Sequence, residues 1–176
     1  MRITISGPPG SGTTSLARYL AEKHGFSLIS AGEVFRSLAA ERGMDLGAFG
    51  KLAEEDPAVD KMIDARQKET GEANDDIVIE GRLAGRMVDN ADLRIWVAAS
   101  IACRADRISD RDTLPLADAV ALTEERERCE ALRYEKYYGI DINDLSVYDL
   151  VLSSEKWGRV ELGAIVDLAL SLINLN

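Results

Sequence analysis

The sequence lacks any long hydrophobic run, and this absence excludes a simple membrane-spanning helix. No stretch approaches the roughly 18 to 20 apolar residues needed to cross a bilayer, although 46% of the 176 residues are hydrophobic. The opening residues, MRITIS, also lack the cationic segment and apolar stretch of a secretory signal peptide. We therefore expect a cytoplasmic protein without a membrane partner.

Cysteine is scarce as well, because the chain contains only Cys103 and Cys129. Both fall in predicted helices, and their separation matches neither a metal site nor a small disulfide framework. We expect two reduced thiols, as is usual in the cytosol.

Basic side chains are outnumbered by acidic ones, with 21 Lys and Arg against 31 Asp and Glu and a net charge of −10. Because phosphate backbones and anionic membranes attract basic surfaces, this balance argues against a partner that is a nucleic-acid polymer or a membrane surface. The arginines are nevertheless concentrated locally, which favours a small anionic ligand. Six lie within thirty residues: Arg104, Arg107, Arg111, Arg126, Arg128 and Arg133.

Strand-like and helix-like segments alternate along the chain, whose length suits one globular domain. Short apolar runs predict strands at residues 3–6, 26–29, 77–80, 93–97 and 149–152. Helical patterns cover residues 15–24, 31–42, 57–70 and 160–173, together with a long polar stretch that is interrupted at 112–115. The glycines at positions 43, 47 and 50 break the pattern. This order predicts an α/β fold of three layers around a five-stranded parallel sheet.

A glycine-rich turn separates the first predicted strand from the first predicted helix. Its glycine spacing is that of a phosphate-binding loop, in which backbone N–H groups and a helix N-terminus hold an anion. Thr14 stands where a hydroxyl normally binds Mg²⁺, so we expect Mg²⁺ to accompany ATP. The alternative is an ordinary glycine-rich turn. The predicted ATP-binding residues are Gly7, Pro8, Pro9, Gly10, Ser11, Gly12, Thr13, Thr14 and Ser15.

One position departs from the pattern of such loops. Thr13 occupies the place of the lysine that normally reaches the β- and γ-phosphates. Three explanations are open: an arginine from elsewhere supplies the charge, the enzyme is slow, or the chain binds nucleotide without catalysis. The arginines between positions 104 and 133 favour the first explanation.

Two further arginines follow the ends of predicted strands. Arg36 lies one helical turn beyond Gly32 in the segment after the second strand, and Arg82 follows Glu80 and Gly81 at the end of the third. Ligands of parallel sheets gather at this carboxyl edge. Because phosphoryl transfer depends on positioning and neutralising charge, convergent arginines here indicate a phosphorylated acceptor rather than an alcohol.

Five of the six concentrated arginines fall on two predicted helical faces. One face carries residues 104, 107 and 111, and the other carries Arg126, Glu130 and Arg133. Both groups could bring positive charge to a phosphate. The alternative, strongest for the second group, is a solvated helix with intrahelical ion pairs.

Four segments together resemble the archaeal-type cytidylate kinases, within the wider nucleoside monophosphate kinase family. They are the phosphate loop, residues 29–36 (ISAGEVFR), residues 80–85 (EGRLAG) and residues 133–145 (RYEKYYGIDINDL). The last segment is long and specific to that family, whereas the first two are shared more widely. The resemblance extends from residue 3 to residue 152.

The resemblance implies a P-loop nucleoside monophosphate kinase fold in one domain, residues 1–176. It implies a monophosphate-binding insertion at about 31–72 and a short lid at about 104–115. In the acceptor site, Ser30, Gly32 and Gly81 would lie beside the two arginines, Arg36 and Arg82, that hold the acceptor phosphate.

The resemblance also implies roles in catalysis. The lid arginines Arg104, Arg107 and Arg111 would close over the transferring group, and Arg126 and Arg133 would add charge beside it. Glu80 would be the carboxylate near the metal, with Thr14 as the hydroxyl ligand.

Recognition of the base cannot be carried over from the bacterial enzymes. These have an aspartate after the arginine of their Asp-Gly-Arg motif, whereas Leu83 stands there in this chain. We hypothesise that Asp60, or Asp64 one helical turn along, accepts a hydrogen bond from the cytosine amino group. The alternative is two exposed helix acids.

The activity implied by the resemblance is transfer of a phosphoryl group from ATP to CMP, with dCMP as a further acceptor. Two alternatives are kept: a kinase of the same fold acting on AMP, UMP or a non-nucleotide hydroxyl compound, and a nucleotide-binding module without catalysis. Small kinases of this size often work as monomers, so we expect a monomer.

Overall fold

The computed structural model describes residues 1–173, except for the side chains at positions 46, 47, 51 and 54. Residues 174–176 of the predicted domain lie outside the described residues. Five parallel strands form one sheet in the order β2-β3-β1-β4-β5, and each predicted strand is confirmed to within one residue at either end. The strands are β1 (Arg2–Ser6), β2 (Ser27–Ser30), β3 (Ile77–Glu80), β4 (Leu93–Ala98) and β5 (Leu150–Ser153).

Eight helices connect and flank the strands within the described residues. Prediction and structure agree closely for the first two and the last. The helices are α1 (Thr13–His24), α2 (Ala31–Glu41), α3 (Leu46–Glu55), α4 (Pro57–Ala73), α5 (Ala84–Met87), α6 (Ile101–Asp112), α7 (Leu116–Tyr138) and α8 (Arg159–Ile173).

The two faces of the sheet are covered by different helices, because side chains alternate along each strand. Ile3 and Ile5 of β1 pack with residues of α1 and α8 on one face. On the opposite face, Ile79 packs with Val88 after α5, and Trp96 packs with residues of α7. Both faces are therefore buried, which confirms the three-layer α/β fold.

Two helices were missed by the sequence analysis. The predicted break is confirmed at Gly43, which has φ +64° between α2 and α3, but it was wrong at Gly47 and Gly50, which lie within α3. The Asp45 side chain caps α3 by accepting a hydrogen bond from the backbone N–H of Ala48 at 2.9 Å. Phe49 is fully buried against residues of α2 and α4. This burial outweighs the low helix propensity of glycine. The four-residue α5 is too short to leave a periodic pattern.

The interruption predicted at 112–115 is confirmed. Helix α6 ends at Thr113, which adopts a left-handed conformation with φ 55°, and Pro115 precedes α7. Cys103 and Cys129 lie in these two helices as free thiols, as expected.

The strand order determines where a ligand can bind. The chain leaves β1 toward β2 on one side of the sheet, and it leaves β3 toward β4 on the other. A crevice therefore opens between the carboxyl ends of β1 and β3, as at the switch points of other open α/β sheets. The glycine-rich loop and Glu80 both border it.

Candidate active site

The loop that follows β1 has the backbone geometry of an anion cradle. Gly10 and Gly12 have φ values of +82° and +95°, a region that favours glycine. A Cβ atom on Gly7 would overlap the carbonyl oxygen of Val97. Gly12 is the N-cap residue of α1 and has no side chain to accept from the first N–H groups of this helix. These features fit a phosphate group at the helix N-terminus.

Two arginines of α6 hold the outer side of this loop. The Arg104 Nη1 donates to the carbonyl of Pro9 at 3.2 Å, and the Arg107 Nη1 donates to the carbonyl of Gly10 at the same distance. Arg104 is 2% exposed. When the N–H groups of a loop turn toward an anion, its carbonyls turn outward and need donors, which these guanidinium groups provide.

A serine after β5 completes the bracing of the loop. Ser154 donates through its hydroxyl to the carbonyl of Ser11 at 2.6 Å, and its own carbonyl accepts from the Arg107 Nη2 at 2.6 Å. The third arginine of the predicted lid is placed differently, because Arg111 is exposed and pairs with its neighbour Asp112 at 2.7 Å. Closure of the lid stays a prediction.

The unusual threonine of the loop contacts the carboxylate at the end of β3. Thr13 donates through Oγ1 to Oε1 of Glu80 at 2.8 Å. Burial raises the pKa of Glu80, while hydrogen bonds from Thr13 and Thr14 oppose this rise. Glu33 at the start of α2 raises the pKa of Glu80 further. The structure thus brings together Thr14 and Glu80, the two residues predicted to serve a metal ion.

Gly81, the residue after Glu80, lies against α4. A Cβ atom on Gly81 would lie 2.8 Å from the Oε1 of Gln67, and Gln67 in turn donates to the Glu80 carbonyl at 2.7 Å. Gln67 is 2% exposed. Glycine at position 81 therefore allows α4 to approach the end of β3.

Arg82 lies against α7, and only part of its guanidinium group is hydrogen-bonded. Its Nε donates to Oε2 of Glu130 at 2.9 Å, and its guanidinium lies 5.4 Å from the centre of the Trp96 ring. Its Nη1 is buried and has no hydrogen-bond partner among the residues that the structure describes. Arg126 shares the same carboxylate, donating to Oε1 of Glu130 at 2.8 Å, but its own side chain is 63% exposed.

At the start of α2, Ser30 and Gly32 shape the turn that precedes Arg36. The Ser30 side chain is buried and caps the helix by accepting from the N–H of Glu33 at 3.1 Å. A Cβ atom on Gly32 would lie 3.5 Å from the Nη1 of Arg36, whose side chain is exposed. The Arg36 guanidinium therefore reaches back over the N-terminal turn of α2.

The two aspartates of α4 face α7 rather than solvent. The Asp60 carboxylate lies 3.2 Å from the Nε of Arg133, and Asp64 accepts a hydrogen bond from the Tyr138 hydroxyl at 2.7 Å. Burial raises the pKa of Asp60 and raises the pKa of Asp64 to about 6. Neither is an exposed helix acid, although a role in reading the base stays a prediction.

Sequence reasoning missed several residues that organise the site. Glu127 bridges Arg104 at 2.8 Å and Arg82 at 3.9 Å. Its spacing from Glu130 on α7 is a signal that could have been used. Gln67 and Ser154 leave no such signal, because their roles depend on main-chain carbonyls that only the fold brings near.

Comparisons with known proteins agree with this arrangement. Residues 2–156 match the family model described as the cytidylate kinase-like family. The chain is similar to a cytidylate kinase from Methanoculleus marisnigri, with 68% identity covering 98% of this chain and 96% of the relative. It is also similar to one from Methanoregula boonei, with 63% identity covering 97% and 94% of the two chains.

Solved structures support the fold at low sequence identity. A shikimate kinase from Acinetobacter baumannii in complex with shikimate superimposes with a TM-score of 0.63 at 14% identity, covering 96% of this chain and 92% of the other. A gluconokinase from Sinorhizobium meliloti gives a TM-score of 0.61 at 13% identity, with coverage of 99% and 97%. None of the helices described here is long and apolar enough to span a membrane.

Proposed function

Because the chain belongs to the cytidylate kinase-like family, as its sequence segments had indicated, we propose that it transfers the γ-phosphoryl group of ATP to CMP. The products would be CDP and ADP, and dCMP would be a further acceptor. The observation that carries the proposal is the meeting of the phosphate loop and the Glu80–Arg82 segment across one crevice, through the hydrogen bond from Thr13 to Glu80.

The donor triphosphate would bind along the loop and the N-terminus of α1. The positive φ values of Gly10 and Gly12 support this assignment, as does the braced outer side of the loop. Arg104 and Arg107 would act here by holding the loop carbonyls and by raising the local positive potential. They support the view that arginines compensate for the missing lysine at position 13.

The acceptor phosphate would bind between α2 and the end of β3. Arg36 and Arg82 border this space, and the unpartnered Nη1 of Arg82 is a donor that a phosphate oxygen would satisfy. Arg126 and Arg133 extend the positive charge along α7. No general base is needed, because the acceptor phosphate oxygen is already anionic at neutral pH.

The residues present fit a magnesium ion. Mg²⁺ prefers oxygen ligands and is usually bound through one or two carboxylates together with substrate phosphates. Thr14 and Glu80 would hold it, the carboxylate through a bound water, and the ion would neutralise charge on the transferring group. The part of the chain that the structure describes contains no group of three or more acidic, histidine or cysteine side chains placed to hold a metal ion by themselves.

Cytosine would be read by the aspartates of α4. An ionised carboxylate accepts a hydrogen bond from the amino group of cytosine, whereas uracil offers a carbonyl at that position and would be repelled. Asp64 is held by Tyr138, and Asp60 lies beside Arg133. These partners hold both carboxylates on the side of α4 that faces α7.

Two other functions are kept as candidates. The fold also occurs in kinases whose names refer to shikimate and gluconate, so the fold alone does not specify the acceptor. The absence of a lysine at position 13 favours a binding module without catalysis. We further propose a cytoplasmic monomer that acts on small molecules.

The test is ADP release from Mg·ATP with CMP, dCMP, UMP, AMP and GMP offered separately. We expect strong stimulation by CMP and weaker stimulation by the purine monophosphates. ATP binding without stimulation by any acceptor would replace the kinase with the binding module, and stimulation by AMP or UMP alone would change the acceptor.

Base reading is tested with Asp60→Asn and Asp64→Asn, comparing kcat/KM for CMP with that for UMP. At least one variant should lose about tenfold in this ratio, because the carboxylate no longer accepts from the amino group. Asp89→Asn is the control, since Asp89 is an exposed residue that pairs with Lys68. An unchanged ratio in both α4 variants would discard the role of these aspartates.

A further inference from the structure

We propose that Glu130 is a positioning residue that orients Arg82 and Arg126 toward the acceptor phosphate, an inference that rests on the proposed function. Glu130 is 5% exposed, although it lies on α7 among charged residues. A buried carboxylate is costly unless it is paired, and this one is paired on both oxygens.

The two hydrogen bonds share a feature that matters for phosphate binding. Oε2 accepts from the Nε of Arg82 and Oε1 accepts from the Nε of Arg126. Glu130 therefore occupies the Nε–H of each guanidinium and leaves its Nη groups for another acceptor. A phosphate prefers the fork of two parallel N–H donors that such a held guanidinium presents.

One Nη group of Arg82 has no acceptor among the residues that the structure describes. This group, Nη1, is buried, and the Nη2 of Arg82 lies 3.9 Å from the carboxylate of Glu127. The Trp96 ring fixes the plane of the guanidinium from one side. Glu130 holds the other edge, so the orientation of Arg82 is determined before any ligand binds.

The carboxylate of Glu130 also balances the positive charges of Arg82 and Arg126. Without its negative charge, the guanidinium groups of Arg82 and Arg126 would repel each other across a partly buried space. In Glu130→Gln the amide keeps one acceptor oxygen but turns an NH₂ group toward the second arginine. One guanidinium then loses its partner and its orientation.

The test compares KM for CMP and KM for ATP in the whole protein. We expect Glu130→Gln to raise KM for CMP about tenfold, with KM for ATP changing less than about twofold. Glu130→Asp should recover part of the loss. Glu125→Gln is the matched control, because Glu125 is an exposed glutamate of the same helix that pairs with Arg128, and it should leave both KM values unchanged.

A double-mutant cycle separates positioning from a general structural role. CMP binding is measured by calorimetry for Glu130→Gln, Arg82→Lys and the double variant, with the unfolding midpoint of each. If Glu130 acts through Arg82, the loss from Glu130→Gln should shrink to less than about half when Arg82 is already replaced. Additive losses, or equal rises in both KM values, would count against positioning.

Two other results would also overturn the proposal. A lower KM for CMP in Glu130→Gln would show that Glu130 competes with the phosphate instead of preparing its site. An unchanged KM would show that Arg82 needs no support. The wild-type protein measured alongside identifies which proposal has failed, because absence of turnover with CMP in that sample overturns the proposed function and this inference together.

Discussion

Thr13 and Glu80 are joined by a 2.8 Å hydrogen bond from a loop hydroxyl to a carboxylate on the neighbouring strand. The residue that replaces the usual loop lysine therefore contacts the carboxylate near the predicted metal position. A lysine would bring a positive charge to the phosphates. Threonine instead orients Glu80 and opposes the rise in its pKa.

Replacing Thr13 by valine should lower kcat about tenfold, because valine keeps the shape and removes the donor to Glu80. Glu80 would then be free to turn away from the position of the metal ion. Thr13→Ser keeps the hydroxyl and should stay within about threefold of wild type. The measurement is kcat at saturating CMP and a series of Mg²⁺ concentrations. Full activity in the valine variant would show that the hydrogen bond has no catalytic role.

Introducing the missing lysine tests the compensation by arginines directly. If Arg104 and Arg107 already supply the positive potential at the loop, and the lysine ammonium group takes over the donation to Glu80, Thr13→Lys should change kcat by less than about threefold. Turnover is measured with CMP at saturating ATP. A gain of about tenfold or more would mean that the arginines compensate only in part.

The buried Asp64 should make stability depend on pH. Burial raises its pKa from 3.8 to about 6, so the folded protein holds a proton that the unfolded chain has already released between these values. The contribution of Asp64 to the free energy of unfolding therefore falls as the pH rises from about 4 to 6, by up to about 3 kcal/mol.

Urea unfolding of Asp64→Asn checks this dependence. The decline should be shallower in the variant, because asparagine does not titrate, while Asp60 and Glu80, whose pKa values are also raised by burial, keep their own contributions. Asp89→Asn is the control, since Asp89 is exposed and pairing with Lys68 lowers its pKa, so the decline between pH 4 and 6 should persist. An identical pH profile for wild type and Asp64→Asn would contradict a raised pKa.

Arg107 should be needed for a rigid phosphate loop. Arg107→Lys keeps the charge but cannot donate to Gly10, Ser11 and Ser154 together. We expect the free energy of unfolding to fall by about 2 kcal/mol and KM for ATP to rise about tenfold. Arg128→Lys, at an exposed ion pair with Glu125, should leave the stability unchanged. Equal stability of the two variants would show that the hydrogen bonds of Arg107 do not stabilise the loop.

A methyl group at Gly81 should disturb both α4 and Glu80. It would lie 2.8 Å from the Gln67 side chain, which must shift and release the Glu80 carbonyl. Thermal unfolding should show Gly81→Ala destabilised by about 2 kcal/mol, with reduced turnover. Gly50→Ala is the matched control, because open space surrounds this glycine of α3, and it should gain about 0.5 to 1 kcal/mol. Comparable stabilities would show that Gln67 adapts freely.

Local sequence pattern determined much of this protein. The apolar runs predicted the five strands, and the glycine-rich turn predicted the phosphate loop. Both predictions succeeded because strand formation and positive φ values depend on neighbouring residues. The same local reasoning failed at α3. There Phe49 is buried by residues from α2 and α4, and packing with distant residues outweighs glycine propensity.

Only the tertiary structure decided which partners the charged residues have. Helical spacing placed Arg104 and Arg107 on one face, but it could not show that this face lies against carbonyls of the loop almost a hundred residues earlier. It also could not show that Glu130 holds Arg82. A side chain's neighbours along a helix follow from its period, whereas its partner across a crevice depends on how the strands are ordered and the helices packed.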